Sequence, residues 1–138
     1  MNGRLKLFAI LDCVTFLIFI SPKYHYLLST FNFSFSIADK TLAIWDILIL
    51  FFFLLTAYLL WFKPKLGLIC SFILVLFRIV FLYFSFDFLS YVAYYLGFKD
   101  FISTAMFQHY WFFILLILEG LRYLGSVYDY YRLSLKEE

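Results

Sequence analysis

Five ionisable side chains stand inside long apolar runs: Asp12, Asp46, Arg78, Glu119 and Arg122. At the centre of a membrane helix each costs about 2.5–3.5 kcal/mol, so each demands a partner or a function. Glu119 and Arg122 are three residues apart and share a helical face. If Asp12 lies at their depth, two carboxylates share one arginine. Burial raises a carboxylate pKa and a neighbouring cation lowers it, so the protonation of such a pair is coupled. A site of that kind carries a proton or holds a cation. Asp46 and Arg78 make a second opposed pair, which Gln108 and His109 could extend into an outer network. Without any such chemistry, Asp46–Arg78 and Glu119–Arg122 are neutralised pairs that fix helix register, and Asp12 is protonated or hydrogen-bonded.

Depth decides which of these groups meet, and depth follows from the elements that carry them. A spanning helix needs about 20 mostly apolar residues at about 1.5 Å each. Four segments qualify, at about 5–20, 42–62, 66–84 and 105–127, and predict an all-α membrane four-helix bundle forming a single domain over 1–138. Between the second and third spans stands only Lys63-Pro64-Lys65, which forces an antiparallel hairpin. Arg78 lies about 18 Å above the inner end of its span and Asp46 about 6 Å below the outer end of its own, so a snorkelling arginine reaches the aspartate. Asp12 and Glu119 lie at a similar depth, about 10 Å from the inner boundary. Gln108, Phe112, Leu115, Glu119, Arg122 and Ser126 form one stripe on the fourth span; Gly67, Ser71, Leu74, Arg78 and Ser85 form another on the third. Lipid satisfies neither stripe, so both must face the bundle interior or a partner protein.

Composition supports the same environment. Of 138 residues, 66% are hydrophobic and 14% charged, against about 45–50% and about 25% in soluble domains. Such a chain cannot cover its core with polar surface and requires a bilayer. The net charge of +2 is small and dispersed, which argues against nucleic-acid binding. Cys13 and Cys70 sit in apolar runs without a CxxC arrangement, as structural thiols do. The basic start and apolar run of the N-terminus mimic a signal peptide, but Asp12 interrupts the run and no small-x-small site follows, so it reads as a retained span. Arg4, Lys6, Lys63, Lys65, Arg132 and Lys136 fall on one side and Lys23, Lys40 and Lys99 on the other. That bias predicts both termini on the cytoplasmic or matrix side.

Two connections are longer. Phe31 to Ile37, FNFSFSI, alternates with period two, as a strand or an interfacial loop does, and contains the sequon Asn32-Phe33-Ser34. Asp87 to Gly97 has an N-cap residue, helix-compatible positions and a closing glycine, and predicts a short interfacial helix at about 87–97. No metalloprotease, P-loop, nucleophile-elbow or haem pattern occurs, so neither a cofactor nor a metal is expected. The leading functional expectation is an accessory or scaffolding subunit of a larger membrane assembly, associating with other membrane subunits or with itself. The alternatives are an oligomeric proton- or cation-coupled transporter using Asp12 and Glu119, and an intramembrane lipid-modifying enzyme.

Overall fold

The computed structural model describes residues 3–135; Lys136, counted above for orientation, lies outside them. The order is α1 (Gly3–Asn32), α2 (Ile37–Phe62), α3 (Pro64–Phe81), α4 (Phe88–Tyr95), α5 (Lys99–Ile102) and α6 (Ala105–Ser134). Helices α1, α2, α3 and α6 are long and apolar enough to cross a membrane, so the chain is a small multi-pass membrane protein built as an all-α four-helix bundle. Its polarity is inverted relative to a soluble protein. On α3 and α6, Val80 and Leu124 are 72% and 63% exposed, whereas Arg78 and Arg122 are 2% and 5% exposed. Hydrocarbon takes the apolar faces, and the charges turn inward because lipid offers them no hydrogen bonds.

Helix α1 runs well beyond its expected end near residue 20, straight through Pro22 to Asn32. A proline removes one backbone hydrogen bond, but leaving the helix inside a membrane would strand many more. The expected strand-like segment at 31–37 is therefore not extended. Its start belongs to α1, and Ser36 caps α2 through a reciprocal box: Asp39 N–H donates to Ser36 Oγ at 3.2 Å, and Ser36 N–H donates to Asp39 Oδ2 at 3.3 Å. The Ser-x-x-Asp spacing outweighs the alternation.

Lys63 alone joins α2 to α3, with Pro64 at the first position of α3. The hairpin closes tightly at Gly67, where a β-carbon would stand 2.7 Å from the Leu60 Cα and from the Leu59 carbonyl carbon. Helix α3 stops at Phe81, short of the expected residue 84, because Leu82 turns into the left-handed region at φ 56°. Leucine adopts that conformation only when its surroundings enforce it. Here Tyr83, Phe84 and Ser85 follow it inward and are all buried. The chain thus folds back against the bundle, and Phe86 of the turn and Phe88, the first residue of α4, pack on the apolar cluster of Leu5, Phe8, Leu11, Ala57, Leu60 and Leu68. At its far end Gly97, at φ 93°, closes α4 as the sequence pattern anticipates.

Gly67→Ala should wedge α2 from α3 and cost about 1–3 kcal/mol, the usual penalty of overpacking. Gly120→Ala, where an added β-carbon meets nothing within 4 Å, is the control and should leave the melting temperature unchanged or slightly raised. Thermal unfolding of both variants in detergent checks the difference; equal melting temperatures would remove the close-approach role of Gly67.

Candidate functional site

Five buried residues from three helices and one turn meet at the centre of the bundle: Asp12 of α1, Arg78 of α3, Ser85 of the turn after α3, and Glu119 and Arg122 of α6. Asp12 Oδ1 accepts from both guanidiniums, from Arg78 Nη2 and, at 2.7 Å, from Arg122 Nη2. Ser85 Oγ also accepts from both, from Arg78 Nη1 and Arg122 Nη1. The Ser85 backbone N–H donates to Glu119 Oε1, which lies 3.5 Å from Arg78 Nη1. The formal charges of two arginines and two carboxylates cancel. Two like-charged guanidiniums tolerate this proximity because they share one carboxylate oxygen and one hydroxyl oxygen, and because each faces an aromatic ring. Arg78 Cζ is 4.3 Å from the Phe53 ring centroid, and Arg122 Cζ is 5.3 Å from that of Phe8.

Asp12, Glu119 and Arg122 thus come together, but with different partners from those the sequence suggests. Arg122 pairs with Asp12, and the cation nearest Glu119 is Arg78. The expected Asp46–Arg78 pair does not form. Side chains on a helix lean toward its N-terminus, so Arg78 points down α3 toward Asp12 instead of up toward Asp46. Asp46 is engaged from elsewhere: Lys23 Nζ donates to its Oδ2 at 2.9 Å and the Tyr83 hydroxyl to its Oδ1 at 2.8 Å. Lys23 reads as a loop residue when the first span ends at residue 20; the extension of α1 carries it onto the helix beside Asp46. Burial, followed by the hydrogen bond to Asp46, pushes the Tyr83 hydroxyl well above the usual phenol range and keeps it a donor. Gln108 and His109 are exposed, and among the described residues neither joins Asp46; the His109 ring packs on Phe113 at 5.1 Å.

A further ion pair, Arg4 Nε to Asp129 Oδ2 at 3.3 Å, joins the start of α1 to the last turns of α6. Asp129 extends the stripe of Glu119, Arg122 and Ser126 by one step of three, a continuation hidden by ending the fourth span at residue 127. Asp12 Oδ2 and Ser126 Oγ are buried and make no hydrogen bond within the described residues. Among those residues, no three His, Cys, Asp or Glu side chains gather as metal ligands would. No family model matches the chain, and no curated protein or solved structure matches it either.

Two measurements probe this arrangement. Removing one member of a buried ion pair costs about 3–5 kcal/mol, so Asp12→Asn should destabilise the protein on that scale. Adding Arg78→Gln to it leaves Glu119 and Arg122 balanced and should restore part of the loss, whereas Arg78→Gln with Asp46→Asn should show no such recovery. Denaturation in mixed micelles checks the cycle, and strict additivity of Asp12→Asn with Arg78→Gln would contradict the pairing.

Asp87, outside the four spanning helices, is raised from 3.8 to about 6 by burial and then by the charge of Glu119, against a backbone hydrogen bond with Phe84 that lowers it. A carboxylate raised on folding binds more protons in the native state, so its contribution is full below about pH 4 and is lost as pH rises through about 6. Asp87→Asn should therefore match the wild-type melting temperature near pH 4 and exceed it at pH 7.5. A gap that stays constant across that window would contradict this account.

Proposed function

We propose that this protein is an accessory or scaffolding subunit of a larger membrane assembly, with both termini on the cytoplasmic or matrix side. The observation that carries the reading is the closed arithmetic of the buried cluster. Its four charges cancel, each is engaged within the fold, and Asp12, the group best placed for transport, has no exposed surface. A coupling carboxylate has to reach water from each side in turn; one shared by two arginines is held in place. The periphery supports association. Between α1 and α2 an apolar groove of about 460 Å³ is lined by Ala9, Cys13, Ala57 and Trp61 among others. Small residues there allow a neighbouring helix to approach closely. The orientation rests on the basic bias toward the terminal end, six Lys and Arg against three.

The second reading, a proton- or cation-coupled transporter, draws on one specific feature. Polar groups form a broken ladder across the bundle, from Arg4–Asp129 past Ser126 and the central cluster to Tyr83, Asp46 and Lys23. The two readings part in a reconstitution experiment. The purified chain in liposomes loaded with a pH-sensitive dye should move no more protons than protein-free vesicles, while in native membranes extracted with mild detergent it should migrate well above the mass of a detergent-bound monomer. Proton flux that Asp12→Asn abolishes would overturn the accessory reading in favour of transport.

A further inference from the structure

The central cluster is closed toward water but approached from the lipid. Between α3 and α6 a cavity of about 290 Å³ is lined by Val75, Arg78, Ile79, Leu116, Glu119, Gly120 and Tyr123. Its floor is the Arg78–Glu119 contact, a guanidinium nitrogen and a carboxylate oxygen 3.5 Å apart. Its walls are aliphatic with one aromatic side chain. Gly120 borders it, and a β-carbon there would stand in open space, with nothing within 4 Å.

From these features we infer that the groove binds an uncharged, ring-headed lipid of the quinol class, with its head on Arg78 and Glu119 and its tail in the bilayer. Three arguments converge. The first is charge: the two arginines and two carboxylates already cancel, so an anionic or cationic head would leave a net charge in hydrocarbon. The second is hydrogen bonding. A hydroxyl both accepts and donates, so one quinol oxygen can accept from Arg78 and donate to Glu119 across their 3.5 Å gap. The third is depth. Glu119 stands well inside α6 and by rise per residue lies about 10 Å within the hydrocarbon from its inner boundary. Glycerolipid and fatty-acid heads remain with water at the interface, whereas an uncharged quinol ring enters the hydrocarbon. The volume lies at the lower end of small-ligand sites, about 300–1,000 Å³, and suits a ring head whose tail stays outside. Tyr123 offers that ring an aromatic neighbour. This site stands independently of the accessory-subunit reading, because a resident lipid serves a lone bundle and a subunit equally.

The test uses the full chain in lipid nanodiscs with decylubiquinol as the probe, held reduced and measured by equilibrium dialysis. Saturable binding of about one molecule per chain is expected. The dimethyl ether of the same quinol, which cannot donate to Glu119, should bind at least tenfold more weakly to the unaltered protein. Gly120→Leu, which fills the groove from an exposed position, should weaken quinol binding at least tenfold without lowering the melting temperature. The proposal fails if quinol binding does not saturate, if the ether binds as well as the quinol, or if oleate or dioctanoylglycerol competes with equal affinity. It also fails if Gly120→Leu changes the oligomeric state while quinol binding persists, which would mark the groove as a helix-docking face.

Discussion

Everything in this bundle is arranged around two arginines that share an oxygen of Asp12 and the hydroxyl of Ser85. Two guanidiniums in hydrocarbon repel each other and forgo hydration, and only a shared acceptor with a balancing carboxylate makes the contact tolerable. The geometry that follows is demanding. α1 must present Asp12 at one depth, α3 must lean Arg78 down to it, α6 must offer Glu119 and Arg122 from adjacent turns, and the chain after α3 must return one residue, Ser85, to the centre. The left-handed Leu82 and the inward run of Tyr83 to Ser85 are the local means of that return. Their conformational cost is set against what Ser85 brings to the centre, a hydroxyl oxygen that accepts from both guanidiniums and a backbone N–H that donates to Glu119.

The apolar parts take their positions from the same centre. One core cluster gathers toward the terminal end around Leu5, Phe8, Leu60 and Leu68, the other on the opposite side around Ile49, Leu50, Phe53 and Leu74. Phe8 from the first and Phe53 from the second each cover one arginine, so the charged layer is sealed above and below by rings. Helix α6 shows the dependence most plainly. Of its buried residues only Leu115 is apolar, and the others are Glu119, Arg122, Ser126 and Asp129. Burying apolar area adds little inside lipid, so the polar stripe is what attaches this helix to the rest.

How far the sequence discloses this follows from which forces act locally. Span number and the tight hairpin at Lys63 are legible because a bilayer sets a length and proline ends a helix wherever they occur. The convergence of Asp12, Glu119 and Arg122 is legible because rise per residue converts position into depth. The partner of Arg78 is not, since it depends on the direction in which a long side chain leaves its helix. Lys23 is hidden by the apparent end of α1 at Pro22, where the surrounding membrane overrules an ordinary stop signal. Ser85 belongs by spacing to the α3 stripe, yet it reaches the centre by a backbone reversal that periodicity does not describe. The backbone N–H of Ser85, which meets Glu119, carries no side-chain signal at all.

The placement of the four central charges also bears on how such a chain enters a membrane. Asp12 and Arg78 belong to the first three spanning helices, Glu119 and Arg122 to the last, and each set sums to zero before the two meet. On α6 the carboxylate and the guanidinium are three residues apart, close enough to compensate each other along a single isolated helix. Neither portion therefore has to carry a net charge into hydrocarbon while it waits for the other. Docking then exchanges local compensation for the shared arrangement, in which Asp12 receives Arg122 and Glu119 receives Arg78 and Ser85.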